Sequence, residues 1–316
     1  MYLTLINKIL SMYVLLRHGR LPREYKYYYR HSYYCRLIQL KYALRDHLFK
    51  KKYKEIAFGG EFAPDIMYAL PFAYWHFKNG TLRKTIGAKY TSQLYFFSSD
   101  HDEAFDNRYP KANFNFELPH VVYSHDYDYS KWEAPPLKET YKNDIYVYDK
   151  PILIIANRYN SEWDGPPISF FDIPTLDFMF SQLQSKYMII YNRPRPQHIT
   201  MDNSDIYDLN EFDWLKETYP GVILLEDLYK ENKAEAKNYN HMQLMVYANA
   251  NHFISIHGGT ASLASYFGGV NLIYSKKGPE HYFGCFHKLF PRLSGAKILH
   301  AKEDAELKNF IREYFA

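Results

Sequence analysis

Residues 251–273, with the sequence NHFISIHGGTASLASYFGGVNLI, limit the fold of this chain more than any other stretch. The segment His252–Ile256 is short, apolar and rich in β-branched and aromatic residues, which predicts a buried strand. The turn at 257–260 ends this strand, small and apolar residues follow at helical spacing, and Val270–Tyr274 predicts a second strand. A strand, a glycine turn, a short helix and a strand together make one unit of a parallel α/β sheet.

The glycine turn of this unit is suited to binding an anion. Two glycines let the backbone turn sharply and approach a ligand closely. Thr260 or Ser262 is expected to cap the helix, whose free N–H groups and positive dipole end then face a phosphate. The alternative is a tight turn in which Thr260 is only a cap and His257 is a buried, hydrogen-bonded side chain. The predicted binding residues of the turn are His257, Gly258, Gly259, Thr260, Ala261 and Ser262.

The residues HGGTASLASYFGG, followed by NLIYSKKGPE, resemble the C-terminal half of GT-B glycosyltransferases. The resemblance covers residues 257–280. In that family a strand, a small-residue turn and a helix N-terminus hold the diphosphate of a nucleotide sugar. The resemblance implies an α/β protein with two Rossmann-like domains facing a cleft, a nucleoside-diphosphate sugar as donor and no metal cofactor.

Length and cysteine content set the broad class of protein. A chain of 316 residues is long enough for two domains of about 150 residues each. Cys35 and Cys285 lie far apart in the sequence and match no metal or redox spacing. A reducing compartment, and hence a cytoplasmic location, is therefore expected.

Charge is distributed unevenly along the chain. The net charge is +4, yet residues 1–55 contain 13 Lys or Arg against 3 Asp or Glu, which indicates an anionic partner for this segment. Residues 1–16 predict an amphipathic helix that is shorter than the roughly 20 residues needed to span a bilayer. The helix either packs on the protein or makes a peripheral membrane contact through residues 1–30. No nucleic-acid recognition motif accompanies the basic segment, so nucleic acid is not expected as a partner.

Alternating strands and helices predict two α/β halves. In the first half we expect strands at 55–58, 82–86 and 93–97 and a helix at 66–77, broken at Pro71. This half looks like the N-terminal half of a GT-B enzyme, in which the first glycine loop lies under the acceptor. In the second half, strands are expected at 151–156, 187–191 and 222–225 and helices at 176–186, 243–250 and 305–314. Prolines at 135–136 and the charged run that extends to Lys150 predict a linker, and we expect an acceptor-side domain, 1–140, and a donor-side domain, 141–316.

Polar residues at the predicted strand ends are candidates for donor binding, because ligands of open α/β sheets bind beyond the carboxyl ends of the strands. Asn157 and Arg158 follow one strand, Arg193 follows the next, and Asp227 follows another. Arginine forks suit a diphosphate, and a carboxylate suits ribose hydroxyls. Arg158 is the first choice for the diphosphate and for the charge of the leaving group. The competing interpretations are ordinary salt bridges for the arginines and a surface turn for Asp227.

Two carboxylates in the loop GGEFAPD are candidates for the catalytic base. An inverting transferase needs one carboxylate to take the proton from the acceptor hydroxyl. Glu61 and Asp65 both lie in this loop, but Asp65 precedes a predicted helix and has an alternative role as its N-cap. Glu61 is therefore favoured. His76, on the helix that follows, is expected to be a packing residue.

Three other functions stay open. Asp100 and Asp102 form a D-x-D after the predicted strand at 93–97, and Asp126 and Asp128 form a second one. Carboxylates two residues apart can share a divalent cation with phosphate oxygens, as in metal-dependent GT-A glycosyltransferases. A sugar-nucleotide epimerase and a nucleotide-sugar-binding protein of the same fold are the others. The favoured expectation is a metal-independent glycosyltransferase that moves a sugar from a nucleoside-diphosphate sugar to a glycan hydroxyl.

Overall fold

Helices and two parallel β-sheets build the protein. The computed structural model describes residues 2–109, 112–119, 127–162, 165–195 and 205–316. Every pair of adjacent strands in the two sheets is parallel. The α/β class expected from the sequence is therefore confirmed.

A helical hairpin opens the chain. It consists of α1 (Tyr2–His18) and α2 (Arg23–Lys41), and a π-helical turn at Arg45–Phe49 continues it. The rings of Tyr13 and Tyr33 meet edge to face at 4.8 Å, and His18 stacks on Tyr29 at 4.1 Å, so the two helices run antiparallel. Among the described helices, none is both long and apolar enough to cross a membrane.

Three strands form the smaller sheet, in the order β1 (Lys54–Ala57), β2 (Leu82–Ala88) and β3 (His101–Phe105). Between β1 and β2 the chain is helical almost throughout, as α3 (Phe62–Pro64), a π-helical turn (Asp65–Ala69) and α4 (Leu70–Lys78). The break that the sequence predicts at Pro71 takes the form of this π-helical turn, because proline cannot complete the regular hydrogen-bond ladder.

The predicted strand at 93–97 is wrong. Residues 93–97 form turns, and the third strand is instead β3. The carboxylate of Glu103 accepts hydrogen bonds from the backbone N–H groups of Tyr90, Thr91 and Ser92 at 2.9–3.0 Å, which holds the chain in a turn just before this segment. Of the apolar side chains that suggested a strand, Leu94, Tyr95 and Phe97 are buried all the same, and Phe96 is exposed.

The segment predicted as a linker contains a short helix that docks on the second half. A 3₁₀ turn at Tyr129–Lys131 comes before it, and the helix itself is α5 (Leu137–Tyr141). The ammonium group of Lys138 on α5 donates to the backbone carbonyls of Ala250, at 3.1 Å, and Phe267, at 2.7 Å. The segment between the two sheets is thus fixed to the protein.

Six parallel strands form the larger sheet. They are β4 (Ile152–Ala156), β5 (Met188–Asn192), β6 (Ile223–Leu224), β7 (His252–Ile256), β8 (Val270–Tyr274) and β9 (Lys297–Ala301). Their order is β6-β5-β4-β7-β8-β9. The chain thus moves outward from β4 to one edge, returns to the centre at β7 and moves to the other edge. This is the strand order of doubly wound nucleotide-binding sheets.

The helices of this half lie on both faces of the sheet. They are α6 (Ile173–Leu183), α7 (Glu211–Thr218), α8 (Leu225–Glu231), α9 (Tyr239–Ala248), α10 (Gly259–Ala264), α11 (Pro279–Phe283), α12 (Cys285–Lys288), α13 (Pro291–Ser294) and α14 (Asp304–Tyr314). Alternate residues of β4 point to opposite faces, with Leu153 in one core and Ile154 in the other. Both faces are therefore buried, as the continuous apolar run of β4 predicts.

The core on one face of the larger sheet is shared with the smaller sheet. Ile56 and Ile66 from the first half belong to the same cluster as Phe253 and Tyr266 from the second. The hydroxyl of Tyr266 donates to the carbonyl of Ile66, which joins the two halves through a buried hydrogen bond. The second Rossmann-like sheet expected from the sequence is a sheet of three strands in the described residues, and its helical segment packs directly on the second half.

Replacing Gly269 by alanine tests the backbone packing of Gly269 against Asn251 in the β7–α10–β8 unit. Gly269 has φ +66°, and a Cβ there would lie 1.9 Å from the carbonyl oxygen of Asn251. Gly269→Ala should lower the free energy of unfolding by about 3 kcal/mol or more, because the backbone has to move. Gly295 is the matched control, since it has φ +78° with nothing within 4 Å of the added Cβ. Gly295→Ala should cost only about 1 kcal/mol in a denaturant titration, and equal losses would contradict this packing.

Candidate functional site

The carboxyl ends of β4 and β7 lie side by side where the strand order reverses. These two strands are hydrogen-bonded neighbours, with Ala156 opposite Ser255. Arg158 follows β4, and the turn that contains Gly258 follows β7. A Cβ placed on Gly258 would lie 2.7 Å from Nη1 of Arg158. The structure thus brings Arg158 and the glycine turn, both predicted from the sequence, into contact.

Gly258 gives the turn a backbone conformation that other residues avoid. Its φ is +90° and its ψ is −143°, and it occupies the N-cap position of α10. The prediction that Thr260 or Ser262 caps this helix is wrong. Both lie inside the first turn, where their hydroxyls donate back to the carbonyls of Ile256, at 2.5 Å, and Gly258, at 2.8 Å. Since glycine has no side chain to cap with, first-turn N–H groups of α10 lack an acceptor within the helix.

A buried carboxylate that the sequence analysis missed holds Arg158 from behind. Glu162 is almost completely buried, and its Oε1 lies 3.5 Å from Nη2 of Arg158. The same oxygen accepts a hydrogen bond from the backbone N–H of Ser169 at 3.0 Å. The other carboxylate oxygen lies 3.7 Å from Nε2 of His257. The spacing of four residues between Arg158 and Glu162 was the available clue, but the segment has no helical periodicity to make it recognisable.

In this arrangement the guanidinium of Arg158 can still donate hydrogen bonds to a ligand. Its side chain is 21% exposed, and its buried Nε has no hydrogen-bond partner. The contact of Nη1 with the His257 carbonyl is long, at 3.5 Å. A cation that is held on one side by Glu162 and borders a bare glycine turn on the other can bind an anion.

His257 contributes a neutral imidazole to this site. Burial lowers its pKa well below the usual range, and the positive charge of Arg158 and the nearby His281 and His300 lower it further. At neutral pH the buried ring therefore adds no positive charge to the site. Any anion at this site is therefore held by Arg158 and backbone N–H groups.

Asn157 and Arg193 have structural roles. The amide of Asn157 donates to the Phe171 carbonyl and the Tyr191 hydroxyl, both at 2.9 Å, and is fully buried. Arg193 is also buried and pairs with Glu211 and, at 3.1 Å, with Asp208. Their polar groups are committed to these internal partners, so the structure favours the salt-bridge interpretation of Arg193.

Asp227 lies in the first turn of α8, where it pairs with Lys216 at 2.7 Å and with Lys230 at 3.4 Å. Its carboxylate neutralises surface lysines and stabilises a helix N-terminus. This geometry favours the surface interpretation of Asp227 over the ribose contact.

The two candidate bases have different surroundings. Asp65 is completely buried, accepts a hydrogen bond from the Tyr95 hydroxyl at 2.6 Å and pairs with Arg108 at 3.0 Å. It lies inside the helical segment and is not an N-cap. With both oxygens engaged and no exposure, Asp65 cannot reach an acceptor in this structure. Glu61 directly precedes α3 and is half-buried.

The loop of Glu61 touches the glycine turn of the second half. Phe62 is the contact, since a Cβ on Gly259 would lie 2.8 Å from Cδ1 of the phenylalanine ring. The acceptor-side loop and the donor-side turn predicted from the sequence therefore meet at one point. The ring of Phe62 thus packs directly against the backbone of Gly259.

The first D-x-D sequence is placed differently from the prediction. Asp100 precedes β3 and Asp102 lies within it, so the pair is at the amino end of a strand. The ammonium group of Lys84 lies 3.8 Å from Asp100 and 3.6 Å from Asp102, where a metal would have to bind.

The second D-x-D is only partly described. Asp126 lies outside the described residues, and Asp128 accepts a hydrogen bond from the Ser130 N–H at 3.0 Å as the cap of a 3₁₀ turn. The described carboxylates of both pairs thus have other partners.

A buried group of Asp46, His76 and Glu117 has the composition of a metal site. Their ligand atoms lie within 4.8 Å of one another. Two buried lysines already neutralise the carboxylates, because Lys131 pairs with Asp46 and Glu117 and Lys54 pairs with Glu117. The arrangement is therefore a buried ion-pair network that ties the π-helical turn after α2 to the smaller sheet.

Comparison of the chain with protein-family models, with curated proteins and with solved structures gives no match. Its function is therefore argued from the chemistry of the site.

The buried network predicts a pH dependence of stability. Burial, followed by the positive charges of Lys54 and Lys131, lowers the pKa of His76 to about 2. An unfolded histidine titrates near about 6.5, so the unfolded chain binds this proton more tightly than the folded one. The stabilisation is complete above the unfolded value and decreases as the pH falls below it. Between pH 6 and 5 this residue should contribute a loss of up to about 1.4 kcal/mol.

Denaturant titrations of the wild type and of His76→Gln at pH 7, 6 and 5 measure this effect. The variant should be less stable at pH 7 but lose less of its remaining stability as the pH falls. Parallel pH profiles for the two proteins would show that His76 titrates normally.

Proposed function

We propose that the protein is a metal-independent glycosyltransferase that moves a sugar from a nucleoside-diphosphate sugar to a hydroxyl of a glycan acceptor. The observation that carries the proposal is the contact of Arg158 with the positive-φ turn at Gly258, at the point where the strand order of the larger sheet reverses. Ligands of doubly wound sheets bind at this point.

The chemistry of the turn suits a diphosphate. A guanidinium fork matches the oxygens of a phosphate, and a glycine backbone lets them approach to hydrogen-bond distance. The N–H groups at the start of α10 add donors and a positive dipole end. The neutral His257 leaves Arg158 as the main positive charge beside the turn, so binding depends strongly on that one side chain.

In the proposed reaction the acceptor oxygen attacks the anomeric carbon of the sugar. The bond from that carbon to the phosphate oxygen breaks, and the nucleoside diphosphate leaves with the electron pair. Arg158 stabilises the negative charge that builds up on this leaving group. Glu61 takes the proton from the acceptor hydroxyl as the new bond forms. Asp65 has a positioning role instead, because its pair with Arg108 fixes the helical segment behind Glu61.

The proposal includes the finer architecture of two Rossmann-like domains, 1–140 on the acceptor side and 141–316 on the donor side. In this proposal the donor binds between the two domains, close to the point where Phe62 lies against Gly259. A cytoplasmic location agrees with the two buried free thiols, Cys35 and Cys285. An exposed basic and apolar N-terminal segment fits a transferase that works close to a membrane.

Donor binding tests the role of Arg158. A nucleoside-diphosphate sugar from a panel of uridine and guanosine donors should raise the melting temperature of the wild type, since a ligand of the folded state stabilises it. Arg158→Met should weaken binding of that donor about 10- to 100-fold, the effect of losing a charged hydrogen-bonding group. Arg83, which is exposed and pairs with Glu55, is the matched control, and Arg83→Met should bind as the wild type does.

The proposed donor site is contradicted if no nucleotide sugar stabilises the wild type or if Arg158→Met binds the donor normally. Product analysis without an acceptor separates the related functions. An epimerase would change the sugar under these conditions, and a binding protein would change nothing with or without an acceptor.

The two carboxylates of the first loop should respond oppositely to loss of charge. Glu61→Gln should lower kcat about 10²- to 10⁴-fold and leave donor affinity unchanged, because the amide cannot take the proton of the acceptor hydroxyl. Asp65→Asn should instead lower the free energy of unfolding by about 3 kcal/mol, since it leaves Arg108 buried without its counter-ion. Measurements of kcat, donor affinity and denaturant midpoints on both variants provide the comparison, and an unchanged kcat in Glu61→Gln would remove it from the mechanism.

A further inference from the structure

Helix α1 carries two apolar stripes where a surface helix needs one. The inward stripe, Ile6, Leu10 and Val14, packs on the core. The second stripe points to solvent and consists of Leu5, Ile9, Met12 and Leu16, which are 58%, 52%, 59% and 79% exposed. Their spacing of four, three and four residues places them on one face of the helix. Folding of the chain itself does not account for this second stripe.

A matching apolar row lies on the second arm of the hairpin. Leu37, Leu40, Leu44 and Leu48 follow one another at helical spacing and are 46–68% exposed. The antiparallel register set by Tyr13 against Tyr33 brings Ile9 level with Leu37. More than half of the exposed large hydrophobic side chains of the described residues lie within residues 5–49. Exposed apolar residues concentrated in this way indicate a binding surface.

Positive charge adjoins the apolar rows. Lys41, Arg45 and the run Lys50, Lys51 and Lys52 are all exposed. The one acidic residue between 37 and 52, Asp46, is buried and bound to Lys131 and Tyr53. It therefore does not neutralise the surface.

A cavity opens among these cations. Its volume is about 410 Å³, and it is lined by Arg45, Phe49, Lys51, Lys52 and Tyr53. The guanidinium of Arg45 lies over the ring of Tyr53 at 5.3 Å. Three cations and two aromatic rings, with no acidic side chain in the lining, form a site for a phosphate-bearing group.

We propose that this face, made of the outer stripe of α1, the leucine row at 37–48 and the basic cavity at 45–53, docks on the surface of a membrane that contains anionic phospholipid. The apolar rows enter the boundary between head groups and acyl chains, and the cavity takes an anionic head group. The proposal extends the segment expected from the sequence, 1–30, to residue 53, and it does not depend on the proposed transferase activity.

The combination of groups selects this partner over two others. Nucleic acid would match the lysines and leave the apolar rows exposed to water. A second copy of the chain would cover the apolar rows while bringing like charges together. A bilayer with anionic head groups satisfies the apolar and the charged parts of the face at once.

Flotation of the full chain with lipid vesicles tests the proposal. Binding to vesicles of phosphatidylcholine mixed with phosphatidylglycerol should exceed binding to phosphatidylcholine alone by about tenfold or more, and it should weaken as salt is added. The variant Leu5→Gln/Ile9→Gln/Met12→Gln/Leu16→Gln should lose most binding to both kinds of vesicle. The variant Lys50→Gln/Lys51→Gln/Lys52→Gln should lose the preference for the anionic ones.

Matched controls change exposed residues of the same type elsewhere. Ile145→Gln/Val147→Gln and Lys233→Gln/Lys237→Gln should both bind as the wild type does, and circular dichroism checks that every variant is folded. The proposal is overturned if the wild type does not float or if it binds both vesicles equally. It is also overturned if the α1 variant abolishes only self-association, measured by light scattering, or if DNA binding replaces vesicle binding.

Discussion

The reversal of strand order between β4 and β7 is the constraint on which the site depends. Right-handed crossovers send the helix that follows β4 to one face of the sheet, while α9 and α10 cover the other. The carboxyl ends of the two central strands are therefore left uncovered by their own crossovers. Arg158 and Gly258 meet there because each immediately follows one of these strands, and Glu162 then fixes the direction of the guanidinium.

The sequence predicts the fold well where the conformational preferences of a segment agree with the structure that it adopts in the folded chain. The bounds of β7 and β8 match the expectation, because β-branched strands, a glycine turn and a helix-ending glycine pair all favour the same structure. Residues 93–97 have the apolar composition of a strand, but they follow a turn at 90–92 that the carboxylate of Glu103 holds in place. Composition cannot distinguish a buried turn from a buried strand when the stabilising partner lies outside the segment.

The same limit applies to the site. Placing polar residues at strand ends correctly associates Arg158 with the glycine turn, since parallel neighbours end at the same edge. The positions of polar residues in the sequence do not show which charged side chains form ion pairs inside the protein. Asp65 is paired with Arg108, 43 residues away, and Arg193 with Glu211, 18 residues away, and both pairs form only in the folded chain. Glu162 was missed for the converse reason, because an acid in an irregular segment shows its role only through the cation that it contacts.

The packing of Phe62 on Gly259 sets the spacing between the two halves of the molecule at this point. A single hydrogen atom at position 259 leaves just enough room for the edge of the ring. A methyl group there fits only where position 62 carries a smaller side chain, so changes at these two positions, 197 residues apart, are geometrically linked. Related chains that carry alanine at 259 should therefore carry a shorter residue at 62.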